Sequence, residues 1–185
     1  DLRTSKLNKI LDGPKDFINA LSFSPNGNTL AAAGEEARIF LFDVATGQIV
    51  FTLLGHSGPI EVVVFSPNGA ILASAGQDTV IRLWDPAKGE QTQALTGHEG
   101  PIRALAFSPD SRLLASAGEG TQIRLWNVAT GTLARELSGL TSPVNVLVFD
   151  PKGLFLASAT EAGEIVLWNV TTGIRIISIP VPIAF

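Results

Sequence analysis

The stretch IEVVVFSPNGAILASAGQDTVIRLWDPAKGEQTQAL, residues 60–95, contains four short apolar runs separated by turn sequences. The runs cover residues 60–65, 71–75, 80–84 and 91–95, and the segments between them are rich in Pro, Gly, Asn and Asp. Proline presets the backbone of the first turn residue and glycine accepts a positive φ, so these segments favour tight reversals of the chain. The stretch therefore predicts four antiparallel strands, named a to d here.

The same pattern occurs four times at a fixed spacing of 42 residues. Its markers are a phenylalanine that ends strand a, a proline in the a–b turn, an aromatic residue that ends strand c and a glycine in the c–d turn. They are Phe23, Phe65, Phe107 and Phe149; Pro25, Pro67, Pro109 and Pro151; Phe42, Trp84, Trp126 and Trp168; and Gly47, Gly89, Gly131 and Gly173. No segment shows a helical period. Stacked four-stranded sheets cover each other's faces, so the repeat predicts an all-β β-propeller with four four-stranded antiparallel blades per chain.

Charge and hydropathy argue against several classes of partner. The chain of 185 residues has a formal net charge of −4, and its Lys and Arg residues are not clustered, which disfavours nucleic acid binding. No uninterrupted apolar segment approaches the roughly 20 residues that cross a bilayer, so we expect no membrane partner. Asp1 is not followed by a basic and then an apolar segment; the sequence therefore predicts no signal peptide and a cytoplasmic location.

Residues that hold metal ions are scarce. The chain contains no cysteine, which excludes disulfides and thiolate ligands, and its two histidines are a full repeat apart. No glycine-rich phosphate loop follows a strand. The sequence therefore predicts neither a metal site nor a cofactor.

The ends of the repeats carry dipeptides that identify a family resemblance. Gly55-His56 opens the second repeat and Trp84-Asp85 ends its strand c, while Gly97-His98 and Trp126-Asn127 occupy the same positions in the third. Repeated at constant offset, these pairs resemble the WD-repeat family of β-propellers. The first and fourth repeats depart from the pattern, with Phe42-Asp43 in the first and Gly139-Leu140 and Trp168-Asn169 in the fourth.

The resemblance implies a hydrogen-bonded structural tetrad within a blade. It maps onto His56, Ser74, Asp78 and Trp84, and the second blade alone has all four residue types. The third has Gly120 in place of the aspartate, and the fourth keeps only Ser158 and Trp168. Three of the tetrad residues also resemble a catalytic triad, with Ser74 as nucleophile, His56 as base and Asp78 as the acid that orients the base. No oxyanion motif such as G-x-S-x-G accompanies them, so we interpret the set as structural and predict no catalytic residues.

The resemblance also implies a binding surface on the face formed by the d–a and b–c loops, called the top face here. Polar residues at the start of strand a and in the b–c turn are not required by packing, so they are the candidate contacts. They are Asn19, Glu35, Glu61, Gln77, Arg103, Glu119, Asn145 and Glu161. Four glutamates and one arginine give this set a formal charge of −3. We therefore predict a protein or peptide partner, with a preference for a basic peptide.

Three classes of function remain open at this point. The first is a non-enzymatic protein-interaction scaffold or sensor module built from WD repeats. The second is an engineered or reconstructed half-propeller that self-assembles and has no natural ligand, which the uniform period favours and the divergent repeats disfavour. The third, an enzyme, lacks a candidate site, and fold alone does not decide between them.

The repeat positions also divide the chain. They predict blades at about 14–55, 56–97, 98–139 and 140–185, and an outer strand of a preceding or partner blade within 1–13. Residues 7–11 align with the four d strands, so the chain has five segments of type d and four each of types a, b and c. Either the chain is part of a longer propeller, or two copies pair as half-rings into a homodimer. We favour the pairing, because open terminal blades expose apolar faces.

Overall fold

A computed structural model describes residue 11 and residues 13–180 as sixteen strands in four separate antiparallel sheets. Each sheet is a meander of four consecutive strands, and it forms one blade. Blade 1 contains β1 (Ile18–Phe23), β2 (Thr29–Gly34), β3 (Arg38–Asp43) and β4 (Ile49–Leu54). Blade 2 contains β5 (Ile60–Phe65), β6 (Leu72–Gly76), β7 (Ile81–Asp85) and β8 (Glu90–Leu95). The all-β fold with four four-stranded antiparallel blades is therefore confirmed.

The other two sheets repeat this arrangement. Blade 3 contains β9 (Ile102–Phe107), β10 (Leu113–Gly118), β11 (Ile123–Asn127) and β12 (Thr132–Leu137). Blade 4 contains β13 (Val144–Phe149), β14 (Phe155–Thr160), β15 (Glu164–Asn169) and β16 (Arg175–Pro180). The first strands of neighbouring blades lie against each other. The predicted N-terminal strand at 7–11 lies outside the described residues except for Leu11, and the described part holds no helix that could cross a membrane.

The a–b turns show why the Ser-Pro-Asn-Gly sequence reverses the chain. In blade 2, the Ser66 hydroxyl donates to Asn68 Oδ1 at 2.7 Å and accepts the amide N–H of Ile71 at 3.0 Å. Gly69 then takes a φ of 73°, a left-handed conformation that is unfavourable for residues with a Cβ. The turn thus satisfies its own polar groups and fixes the register of β5 against β6.

Blades are held together by apolar side chains that point between the sheets. At the interface of blades 1 and 2, Ala31, Ile39 and Leu53 pack with Ile60, Phe65 and Trp84. Equivalent clusters join blade 2 to blade 3 and blade 3 to blade 4. The alanine side chains on the second strand of each blade are small, so the neighbouring sheet approaches closely enough to enclose a tryptophan. The core of the described residues therefore consists of three copies of one interface and a small fourth cluster of Ala32, Phe40 and Phe42 within blade 1.

Candidate functional site

The four tetrad side chains of blade 2 form one continuous hydrogen-bonded chain. His56 Nδ1 lies 2.9 Å from Asp78 Oδ2, and His56 Nε2 lies 2.7 Å from Ser74 Oγ. Trp84 Nε1 donates to the same Ser74 oxygen at 2.8 Å. The Asp78 carboxylate also accepts the amides of Ser57 at 3.2 Å and Val80 at 3.3 Å. These hydrogen bonds therefore connect the loop before β5 and the turn after β6 to the middle of the sheet.

Burial decides what this group can do chemically. Ser74 is 0% exposed, and its hydroxyl is already used by both His56 and Trp84. A nucleophile must reach a substrate atom, which an enclosed oxygen of this kind cannot do. Burial lowers the pKa of His56 and the nearby Arg82 lowers it further, while the Asp78 carboxylate opposes the shift. The geometry is that of a buried structural network.

Blades 3 and 4 contain progressively less of this network. In blade 3, His98 Nε2 lies 2.7 Å from Ser116 Oγ, and Trp126 Nε1 donates to Ser116 at 2.7 Å. The aspartate position is Gly120, and burial together with Arg124 lowers the pKa of His98 to about 4. Blade 4 retains the single bond from Trp168 Nε1 to Ser158 Oγ at 2.9 Å. Packing of the tryptophans is thus common to these three blades, whereas the carboxylate is not.

The top-face side chains of the first strands project at irregularities in the sheets. The register of each first strand against the second shifts by one residue where these side chains lie. A bulge of this kind re-aims the side chain of the extra residue and is common beside binding sites. The shifts fall at Asn19, Glu61, Arg103 and Asn145. Sequence reasoning identified these positions by their polarity but gave no sign of the bulges.

Three of these residues interact with a polar residue of a b–c turn, and the fourth, Asn145, accepts a hydrogen bond from Arg103 at 3.4 Å. Asn19 Nδ2 donates to Glu35 at 3.3 Å, and Gln77 Nε2 donates to Glu61 at 2.9 Å. Arg103 forms ion pairs with Glu119, at 3.0 Å, and with Glu161 of the next blade. The structure therefore brings the predicted residues together as two pairs and one group of four around Arg103, and the eight residues remain a predicted contact surface.

The pairing distributes charge unevenly over the top face. Arg103 compensates carboxylates in blades 3 and 4, and these contacts raise its own pKa, with the Glu161 hydrogen bond as the main cause. In blades 1 and 2, the polar partners of Glu35 and Glu61 are the neutral side chains of Asn19 and Gln77. The negative potential of the set is therefore strongest over blades 1 and 2.

Two cavities were not anticipated from the sequence. An apolar one of about 400 Å³ lies at the opposite ends of the first strands, between Phe65, Phe107 and Phe149. A second, of about 300 Å³, lies in blade 3 beside His98 and Arg124. Glycine at position 120, where blade 2 has Asp78, was the sequence signal for the second cavity. Within residues 11 and 13–180, no three His, Asp or Glu side chains are grouped as metal ligands.

Comparisons with known proteins agree with this architecture. Residues 17–181 match the family model described as the first β-propeller of IFT122. WD repeat-containing proteins 1-A and 1-B of Xenopus laevis are each 47% identical to the chain over 47 residues, which is 24% of this chain and 8% of theirs. WD repeat-containing protein 1 of Xenopus tropicalis matches with the same identity and coverage. This chain thus spans 8% of the length of these relatives.

Proposed function

The chain belongs to the family of WD-repeat β-propellers, and from that premise we propose that it is a non-enzymatic scaffold or sensor module that binds a protein or peptide on its top face. Proteins of this family are typically non-enzymatic and bind proteins or peptides. The observation that carries the proposal is the row of four polar side chains at the bulges of the first strands, which take no part in the apolar core. They are Asn19, Glu61, Arg103 and Asn145. The matches give no support to an engineered chain without a natural ligand. A cytoplasmic location remains our prediction.

The uneven charge of the top face specifies the partner further. Glu35 and Glu61 have neutral hydrogen-bond partners, whereas Glu119 is neutralised by Arg103. A lysine or arginine of a bound peptide gains more from an uncompensated carboxylate than from one already paired. We therefore expect a basic peptide segment to lie over blades 1 and 2.

Neutralising substitutions test this placement. We expect Glu61→Gln to weaken binding of a lysine-rich peptide, selected from a displayed library, about fivefold, and Glu119→Gln to weaken it by less than half as much. Fluorescence anisotropy of the labelled peptide gives the Kd at low and high salt, and the difference between the variants should shrink with salt. Glu90→Gln, at an exposed position on β8, is the control. Equal binding by the wild type and a Glu35→Gln, Glu61→Gln double variant contradicts the proposal.

We also propose that two copies of the chain assemble, with blade 4 of each copy packed against blade 1 of the other. The supporting observation is that several positions buried at every internal interface are exposed at the ends, although Phe42, the blade 1 equivalent of Trp84, is buried. Ile179 on β16 is 53% exposed, whereas its equivalents Leu53, Leu95 and Leu137 are buried. Leu21 on β1 is 60% exposed, whereas its equivalents Val63, Leu105 and Leu147 are buried. The two end faces thus have the complementary halves of an interface that the chain already forms three times.

Glycine contacts extend the same comparison. The Cβ position of Gly89 lies against Phe51 of blade 1, that of Gly131 against Gln93 of blade 2, and that of Gly173 against Arg135 of blade 3. The next member of this series is Ile177 of blade 4, which is exposed and would cover Gly47 in blade 1 of a second copy. Two such contacts related by two-fold symmetry bury both apolar ends.

Light scattering tests the assembly. We expect a mass of twice 19.5 kDa for the wild type and the mass of one chain, or aggregation, for Ile179→Asp, because a buried carboxylate without a partner is strongly unfavourable. Ile174→Asp is the matched control, since Ile174 is exposed and its equivalents Gln48, Glu90 and Thr132 are polar. A stable wild-type monomer would overturn the proposal, leaving further blades of a longer chain as the occupants of the end faces.

A further inference from the structure

The cavity of about 300 Å³ in blade 3 lies where blade 2 holds a carboxylate. It opens between the loop that precedes β9 and the turn that joins β10 to β11. The residues that line it include His98, Glu119, Gly120 and Arg124. Three of these positions correspond, at a spacing of 42 residues, to His56, Asp78 and Arg82 of blade 2. The two blades therefore allow a direct comparison of one site with and without its acid.

In blade 2, four donors surround the Asp78 carboxylate. Its Oδ2 lies 2.9 Å from His56 Nδ1, 3.2 Å from the amide nitrogen of Ser57 and 3.6 Å from Arg82 Nη1. Its Oδ1 accepts the amide of Val80 at 3.3 Å. Two backbone N–H groups, an imidazole N–H and a guanidinium form an anion site that the chain fills itself.

Blade 3 keeps the imidazole and the guanidinium of this site. Trp126 Nε1 can only donate, so Ser116 Oγ accepts from it and is left with its own proton to donate. The nearest acceptor is His98 Nε2 at 2.7 Å, which places the remaining proton of the neutral ring on Nδ1. His98 Nδ1 is thus a donor, like the nitrogen that faces Asp78 in blade 2. The Arg124 side chain is only 14% exposed and its Nε pairs with Glu136 Oε2 at 3.3 Å, so its charge is partly compensated before any outside anion binds.

The turn of blade 3 leaves this space open. In blade 2, Thr79 follows Asp78 with a φ of 63°, and the Asp78 side chain is only 5% exposed. Thr121 in blade 3 is not in the left-handed region. Apart from Gly120 itself and its two chain neighbours, no heavy atom of the described residues lies within 4 Å of the position that a Cβ on Gly120 would occupy, so the space there is open. Since Gly120 also avoids the left-handed region, a side chain fits there without backbone strain.

We propose that this cavity binds a carboxylate supplied from outside the blade, which takes the place that Asp78 holds in blade 2. The carboxylate belongs to a free small acid or to an acidic side chain of a partner. Of the acids that line the cavity, Glu119 is paired with Arg103 at 3.0 Å and Glu99 is exposed to solvent. Their charges limit the affinity, so we expect a Kd in the millimolar range. The site does not depend on peptide binding at blades 1 and 2, because a free acid needs no partner.

The two histidines make the site directly observable, since the chain contains only His56 and His98. We expect sodium formate, compared with sodium chloride at equal ionic strength, to shift the NMR signals of the His98 ring and to raise its pKa by about 1. His56 is the internal control, because Asp78 already occupies its site. An absence of any formate-specific change at His98 would overturn the proposal.

Gly120→Asp tests the site from within the chain. The new carboxylate should occupy the cavity, raise the pKa of His98 and abolish the response to formate, while the His56 signals stay unchanged. The space at the Cβ position of residue 120 is open, so the substitution causes no overlap there, and urea unfolding verifies that the variant is folded. If His98 still responds to formate in a folded Gly120→Asp protein, the anion binds elsewhere and the proposal is wrong.

A third measurement distinguishes the two sources of the carboxylate. Aspartate with an acetylated N-terminus and an amidated C-terminus presents a side-chain carboxylate in a peptide setting. If it shifts the His98 signals as formate does, the cavity accepts an acidic side chain of a partner. A response to formate with no response to blocked aspartate assigns the cavity to free small acids, and failure of both probes rejects the site.

Discussion

Lowering the pH from 7 to 4 is expected to reduce the free energy of unfolding by about 3 kcal/mol through His98 alone. Burial and the Arg124 charge lower the pKa of His98 to about 4, whereas an unfolded histidine titrates near 6.5. Between these values the unfolded chain binds a proton that the native chain does not. The stability that depends on the neutral form of His98 is therefore fully present above pH 6.5 and is lost as the pH falls towards 4. His56 contributes with the same sign, because its pKa is also lowered by burial.

Urea unfolding followed by tryptophan fluorescence across this pH range measures the effect. His98→Gln should remove most of the pH dependence, whatever its cost at pH 7, since glutamine does not titrate. Carboxylates affect stability in a different pH range. The Ser108 hydrogen bond lowers the pKa of Asp110 below its usual value, so the stability that this carboxylate contributes is lost only at more acidic pH. Equal slopes for the wild type and His98→Gln between pH 6.5 and 4 would contradict this prediction.

Replacing Asp78 with alanine is expected to lower the free energy of unfolding by about 1 to 3 kcal/mol at pH 7. The substitution leaves His56 Nδ1 and the amides of Ser57 and Val80 without their acceptor. It also removes the carboxylate that lies 3.6 Å from the largely buried Arg82 guanidinium. Since a buried donor without a partner loses its hydration and gains nothing, the cost exceeds that of deleting an exposed hydrogen bond.

Two variants separate this effect from a general loss of charge. Asp78→Asn keeps an oxygen that accepts from His56, so it should recover part of the lost stability. Asp16→Ala removes an exposed carboxylate whose hydrogen bond within the described residues is with the adjacent amide of Phe17, and we expect a change within about 0.5 kcal/mol. An Asp78→Ala protein as stable as Asp16→Ala would show that the tetrad of blade 2 does not stabilise the fold.

Blade 2 shows how closely local sequence predicts the strands. The apolar run 60–65 coincides with β5, whereas the run 71–75 gave β6 one residue too early, at Leu72–Gly76. Ile71 donates its amide to the Ser66 hydroxyl and therefore belongs to the turn, although it is apolar. Hydropathy alone does not distinguish the last residue of a turn from the first residue of a strand.

The candidate site was predictable in its positions and not in its interactions. Residues 19, 61, 103 and 145 stand out in the sequence because they are polar at the start of apolar strands. Their exposure depends on a register shift, which arises from the close approach of two backbones and leaves no mark in hydropathy. The sequence therefore indicated a mostly acidic surface, and the Arg103 contacts restrict its uncompensated part to blades 1 and 2.

The resemblance to WD repeats implied the tetrad positions, and the sequence by itself determined the repeat and the four sheets of this protein. Those features depend on local turn chemistry and on a period of 42 residues, both of which can be read along the chain. Tertiary structure alone decided that Arg103 pairs with Glu161, 58 residues away, that Ile179 and Leu21 are exposed, and that the turn at Gly120 stands open. Each of these features depends on which parts of the backbone, distant in sequence, come together in space. The stacking of the sheets sets that arrangement, and no local sequence pattern does.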